Sequence, residues 1–223
     1  MKKSNIIVIA LSAFIVLSIL IFYIDGKTHK TKNDTIFETV QLPEFSVIVV
    51  EENADVHIIQ SDTIQLKIET LKDSVNKTAN YSIANDTLHL YKGNRLFVYN
   101  KNTQTIISKN AFWAGIQFEK LDSLNLDIQN TKNFTINTNS EKCDVLKLKL
   151  NSQKNSKIYI NNGINVKNMA VILKNSELTI WGGNYKNASI EALVNSQVQI
   201  NEGKNVENII TKKDASSRFN IYN

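Results

Sequence analysis

The sequence predicts an all-β fold, a single-stranded parallel β-helix (solenoid) preceded by one N-terminal transmembrane helix. Three observations carry that expectation. Asn155-Ser156, Asn175-Ser176 and Asn195-Ser196 recur at a twenty-residue step. Each pair opens a polar, aliphatic, polar, isoleucine pattern, closed by Gly163, Gly183 or Gly203 at a common offset. Glycine is scarce, with 7 in the chain, so three in one register mark a repeat whose units bury their apolar faces by stacking on each other. The second observation is strand-like alternation, rich in β-branched residues, from Thr35 onward. The third is Ile6 to Ile24, nineteen uncharged and nearly all apolar residues in a row.

As a helix that run extends about 28 Å against a hydrocarbon thickness of roughly 30 Å. It follows Lys2 and Lys3, exceeds the apolar core of an ordinary signal peptide and lacks a small-x-small cleavage site. No cysteine follows it to take a lipid. Residues 1–24 are therefore expected to form an uncleaved signal-anchor, with a cleaved signal peptide as the alternative. Lys27, Lys30 and Lys32 balance the cations before the span, so charge alone does not orient it. A short tail ahead of a span is the geometry of export, which puts the domain outside the cytoplasm, in the periplasm or at the cell surface. Residues 25–35 read as a polar tether, and residues 36–223 as the β-helical domain.

Within the domain, Phe45 to Val50, Val56 to Ile59 and Ile64 to Glu69 are β-branched runs of strand length. Leu88 to Tyr91, Leu124 to Ile128, Phe134 to Ile136 and Val145 to Leu150 continue the series. Pro43, the one proline, stands just before the Phe45 strand, where a missing N–H costs least. Turns fall on Asn, Asp and Ser, which tolerate the left-handed conformation. Stacked windings would bring Asn155, Asn175 and Asn195 into one column of hydrogen-bonded amides.

Side chains alternate along a strand, so the repeat also assigns faces. Ile158, Leu178, Val198 and Phe219 form one inward column, and Ile160, Ile180, Ile200 and Ile221 the next, with the last unit shifted by one residue. Lys157, Glu177, Gln197 and Arg218, with Tyr159, Thr179, Gln199 and Asn220, face outward. A second strand per turn is expected through Leu150, Ala170, Ile190 and Ile210. Uniform windings of this length predict about nine turns over roughly 40 Å.

The run Phe45-Ser-Val-Ile-Val-Val-Glu-Glu-Asn-Ala-Asp-Val-His-Ile-Ile-Gln-Ser-Asp, then Asp86-Thr-Leu-His-Leu-Tyr, then the Asn-Ser-x-aliphatic-x-Ile units resemble the DUF2807 family. Its members, largely from Bacteroidetes, are exported or envelope proteins described as auto-transporter adhesin heads or GIN domains. The resemblance spans most of residues 36 to 223. It implies a parallel β-helical domain outside the cytoplasm and brings no catalytic residue with it. The chain departs from the family in placing Asn where Gly or Ala often precedes the repeated Ser, and in its long apolar start.

Chemistry is sparse. The formal charge is +5, but the lysines flanking the apolar run, offset by Asp25, supply about +4 of it. The domain is thus nearly neutral, without the basic stripe of a nucleic-acid binder. Cys143, the one cysteine, forms no intramolecular disulfide, and with 3 histidines it makes no zinc site of the usual spacing. It reads as a small residue near a strand start. His57 and His89 lie in alternating strands without an evident partner, and Asp55, Asp62 and Asp86 read as turn residues bonded to their own backbone. Lys157 and Glu177 read as a solvated ion pair of small value. No cofactor is expected.

One stretch stands apart: Arg95 to Tyr99 and Asn110 to Ile116, rich in aromatics. Phe112 and Trp113 are the candidate interaction surface, against the plainer reading that Phe97, Phe112, Trp113 and Phe118 cover an end or seam. The expected function is a membrane-anchored, non-enzymatic interaction or adhesin-like module whose partner is an envelope protein or glycan. The alternative is a carbohydrate-active β-helix enzyme, which requires acidic and basic groups converging at one spot. A sensor is disfavoured because five residues before the span leave little room for a cytoplasmic partner.

Overall fold

The computed structural model describes residues 14–21, 35–71, 81–91, 95–140, 142–201 and 206–222. The chain divides into two units, Met1–Thr35 with Leu71–Asp73, and Ile36–Thr70 with Ser74–Asn223. In the first, residues 14–21 form a helix, α1, with Phe14, Leu17 and Ile21 exposed. The rest of the expected span, Ile6 to Ile24, lies outside the described residues. A helix of that length covers about 12 Å, and among the described residues none is long and apolar enough to cross a membrane.

The second unit is all β. Its strands are β1 (Thr35–Gln41), β2 (Val47–Glu51), β3 (Asp55–Gln60), β4 (Gln65–Leu71), β5 (Tyr81–Ala84), β6 (Thr87–Leu90), β7 (Leu96–Asn100), β8 (Thr105–Lys109), β9 (Trp113–Phe118) and β10 (Lys120–Gln129). They continue with β11 (Asn133–Thr138), β12 (Cys143–Gln153), β13 (Lys157–Ile160), β14 (Ile164–Lys174), β15 (Glu177–Trp181), β16 (Tyr185–Leu193), β17 (Gln197–Asn201), β18 (Val206–Lys213) and β19 (Arg218–Tyr222). From β10 onward the chain winds five times, each winding contributing one strand to a nine-stranded sheet and the next to a ten-stranded sheet. It is a β-solenoid. Ile136, Ile160, Ile180, Ile200 and Ile221 stack in parallel register, as do Phe134, Ile158, Leu178, Val198 and Phe219. In both rows every residue except the final one is buried.

Nine uniform turns do not occur, because residues 35 to 119 are laid down out of order. The β2–β3 layer is flanked on one side by β6–β7 and on the other by β8–β9, all in parallel register. The link from β7 to β8 must therefore climb past a layer already in place. Buried Asn100 anchors that climb, its Nδ2 donating to Phe45 O at 3.0 Å and Thr103 Oγ1 at 3.2 Å. β4 with β7 and β5 with β6 pair antiparallel. The latter is a hairpin whose tip, Asn85-Asp86, takes positive φ at both residues, as its tight turn requires.

The second-strand column also differs from expectation. Leu126, Leu150, Val171, Ile190 and Thr211 are in register, whereas Ala170 and Ile210 face outward, Ile210 at 72% exposure. For Ile210 the cause is the last winding, 21 residues from Ser196 to Ser217 in place of 20; for Ala170 it lies at the corner into the ten-stranded sheet. Lys154-Asn155 and Val194-Asn195 turn it with two left-handed residues, but Asn175 turns it alone. One residue fewer at that corner shifts the preceding strand by one. The long strands bend as well: two successive outward residues, Leu146-Lys147, Lys167-Asn168 and Lys186-Asn187, mark a second corner that the strand rounds without ending.

The Asn-Ser pair has a defined job. Asn occupies the left-handed corner position, at φ 59°, 52° and 57° in the three units, and Asn175 Nδ2 donates to Asn155 Oδ1 at 2.7 Å. Asn195 instead donates its backbone N–H to Ser216 Oγ at 3.0 Å. The serine that follows turns inward and is buried. Ser156 Oγ donates to Gln153 O at 2.8 Å and accepts the Thr131 N–H at 3.1 Å, and Ser196 N–H donates to Ser217 Oγ at 3.2 Å. The hydroxyls of Ser156, Ser196 and Ser217 thus each accept a backbone N–H of the adjacent winding, while Ser176 Oγ donates to Lys174 O within its own corner. Gly183, at φ +90°, is required because a Cβ there would lie 2.2 Å from Ile164 O.

Candidate functional site

Pleating sends alternate residues of the ten-stranded sheet to its outer face. Register aligns Lys67, Phe97, His57, Gly115, Thr135 and Tyr159 on that face, followed by Thr179, Gln199 and Asn220. At one end the column is aromatic. His57 stacks on Phe97 with centroids 4.8 Å apart and 16° between planes, and Trp113 lies 4.3 Å from His57 at 33°. Phe37 of β1 meets Phe97 edge-on at 5.9 Å and 70°. Trp113 lies two residues earlier, opposite Asp55, and its indole fills the space above Gly115. A Cβ on Gly115 would stand 2.5 Å from Trp113 Cη2, so only glycine lets the ring complete the row.

Beside the row lies a groove of about 290 Å³ lined by Phe37, Thr39, Lys67, Phe97 and Tyr99. Lys67 Nζ sits 4.9 Å from the centre of the Tyr99 ring, a cation–π contact. On the opposite flank Arg95 Nε reaches Asp55 Oδ2 at 3.2 Å and Arg95 Nη1 reaches Glu69 Oε2 at 3.6 Å. His57 Nε2 is 3.6 Å from Asp55 Oδ1. Burial holds the imidazole below its ordinary value; Asp55 pulls it up, Arg95 pushes it down and Glu69 pulls it up, in falling order of effect.

Acidic and basic groups thus do meet at one spot, Asp55, His57, Glu69 and Arg95. Their geometry is that of a closed network, since one guanidinium spans both carboxylates. The cavity against His57, lined also by Trp113 and Gln117, holds about 20 Å³, room for a water molecule and no more. Among the described residues no group of three or more His, Cys, Asp or Glu is arranged to hold a metal ion.

The two residues singled out from sequence part company here. Trp113 belongs to the outer row, whereas Phe112 lies in the preceding turn, half exposed, with Lys132 Nζ 4.8 Å over its ring. Phe97 joins Trp113 in the row, and Phe118 is buried at 1% exposure. The expected seam is instead two regular strands, β7 and β9. Arg95 and Tyr99 come from the stretch singled out in sequence, though not named as the interaction surface, while Phe37 and Lys67 complete the site from strands that carried no such signal. Alternation does place Phe97 and Tyr99 outward once Leu96 and Val98 are taken as core, but pairing them with Lys67 depends on the antiparallel return of β4.

The remaining candidates are structural. Asp55 and Asp62 bond at long range, to Arg95 and to Lys101, and the Asp86 carboxylate accepts both the N–H and the hydroxyl of Ser46. These contacts replace the local turn bonds expected. Lys157 and Glu177 pair at 3.2 Å on the surface. Cys143 opens β12 at 1% exposure, and burial pushes its thiol up to about 11.

No protein-family model matches the chain, and no curated protein does. Solved structures do. One from Bacteroides fragilis, provisionally described as an adhesin, is 15% identical over 84% of this chain and 96% of its own, with a TM-score of 0.56. Another, from Parabacteroides distasonis and provisionally described as lipid binding, is 11% identical over 86% of this chain and 98% of its own, with a TM-score of 0.59. At these identities the likeness is one of fold.

Proposed function

We propose that the β-solenoid is a non-enzymatic, adhesin-like binding module of the cell envelope, tethered by the apolar amino-terminal segment with the domain outside the cytoplasm. The observation that carries this reading is the row Phe37, Phe97, His57 and Trp113 on an open sheet face, continued by neutral polar residues. Aromatic residues on such a face supply large, rigid contact area at little entropic cost. The adhesin description of the Bacteroides fragilis structure and the DUF2807 resemblance support the same reading. The closed Asp55–Arg95–Glu69 network argues against the carbohydrate-active enzyme, which needs a free acid and base around a substrate.

Association of the purified full-length chain with isolated envelopes tests the proposal. The double variant Phe97→Ala/Trp113→Ala is expected to bind at least about tenfold more weakly while its β-sheet circular dichroism is retained. Undiminished association by that variant would remove the row from the binding surface. Labelling of spheroplasts, whose outer barrier has been opened, with an impermeant amine reagent tests the topology, and exclusion of the reagent from the domain lysines would overturn it.

A further inference from the structure

We infer that the groove between Phe37, Phe97 and Tyr99 binds an acidic sugar, a uronate unit of a glycan, with Lys67 holding its carboxylate. The inference deepens the binding-module reading and rests on it. Three features of the groove point to this ligand.

The walls come first. Three aromatic rings surround a space of about 290 Å³, at the small end of ligand pockets and suited to one sugar ring. The C–H face of a pyranose packs on an aromatic ring, while the hydroxyls of Thr39 and Tyr99 offer donors and acceptors to its rim.

Charge is the second feature. Lys67 is the one charged residue in the lining, and it has no carboxylate in ion-pair range among the described residues. Of the acids on nearby strands, Glu69 and Asp55 are committed to Arg95, and Glu38, between Phe37 and Thr39 on β1, is not among the residues lining the groove. The field in the groove is therefore positive at a single point, which selects a ligand with one negative group. A polyanion such as nucleic acid needs many.

The third feature is depth. Beneath the groove the inward residues Leu66, Ile68, Leu96 and Val98 are buried and packed, so no tunnel leads into the core. An acyl chain laid here would stay wet over most of its length, whereas a sugar keeps its hydroxyls in water by design. Successive aromatic residues of the row sit on adjacent strands about 4.8 Å apart, so a glycan chain running along the stack would continue from Phe97 over His57 and Trp113.

Titration calorimetry of the full-length chain with tetragalacturonate and with the neutral galactose tetramer tests the assignment. Tetragalacturonate is expected to bind about tenfold more tightly. Lys67→Gln should abolish that preference and Lys67→Arg retain it, and rising salt should weaken the acidic ligand alone. Phe37→Ala should weaken both ligands. Phe37 is 54% exposed, so its loss leaves the core intact, and a thermal melt of each variant verifies this. Equal affinity for the two tetramers, or an unchanged preference in Lys67→Gln, overturns the uronate site. Competition by sodium dodecanoate below its micellar concentration overturns it in favour of an acidic amphiphile. If tetragalacturonate fails while envelope association persists, the ligand is wrong and the module reading stands; loss of both removes the module reading as well.

Discussion

Asparagine and histidine show how single residues act in this fold. Asn110, Asn130 and Asn175 turn corners alone at φ 56°, 48° and 52°, a conformation that Asn adopts more readily than other non-glycine residues. Val194 shares this conformation at φ 54°, unusual for a β-branched side chain. Its N–H is held by Asp214 Oδ2 at 2.6 Å, and that bond leads the contacts that draw the Asp214 carboxyl down to about 2. His57 gives the pH prediction. Its folded-state value lies below the ordinary 6.5, so near and below pH 6.5 the unfolded chain binds more protons than the folded one. Stability then rises with pH in that window. Urea midpoints are expected to fall as pH drops from 7 through 6.5 until the folded-state value is passed, and His57→Gln should remove that component of the slope.

Strands and corners repeat for a reason that combines two periods. Alternation sets which side chains enter the core, and the corner sets the register between windings. The buried column Ala54, Ala111, Thr131, Ser156, Ser176, Ser196 and Ser217 runs along one corner, and only its later members were legible as a repeat. Asn53-Ala54, Asn110-Ala111 and Asn130-Thr131 are earlier copies of the same corner, disguised by the loss of serine and by unequal spacing. Spacing varies because the segments between corners vary in length: Asn130 to Asn155 is 25 residues, against 20 from Asn155 to Asn175. The serine hydroxyl predicts its own test. Ser156→Ala leaves the Thr131 N–H without its acceptor inside a buried corner, an expected loss of about 1–3 kcal/mol by urea denaturation. A wild-type midpoint would mean that the hydroxyl ladder does not support the stack.

The order in which layers are assembled governs the whole β-unit. In a stack where each layer touches its neighbours, stability is a sum of layer and interface terms. The β2–β3 layer has a parallel neighbour on both sides, whereas β18 and β19 have one. Ile58, at 1% exposure, sits in the doubly covered layer, and Ile221, at 46%, in the terminal one. Ile58→Ala is expected to cost about 2–5 kcal/mol and Ile221→Ala under about 1 kcal/mol. Equal losses measured by chemical denaturation would contradict this layering. The same arrangement creates the candidate site, because β4 returns antiparallel beside β7 and carries Lys67 to the aromatic row.

Local patterns were sufficient for the all-β class, for the isoleucine columns from β13 to β19 and for the surface pair Lys157–Glu177. Each follows from pleat alternation and a near-constant repeat, which are properties of short stretches. Long-range placement was different. That β2–β3 lies between two later layers, that Trp113 rests over Gly115, and that Lys67 faces Phe97 and Tyr99 all depend on which strands pair. Pairing is settled by burial of the assembled core, and no short stretch of chain contains that information.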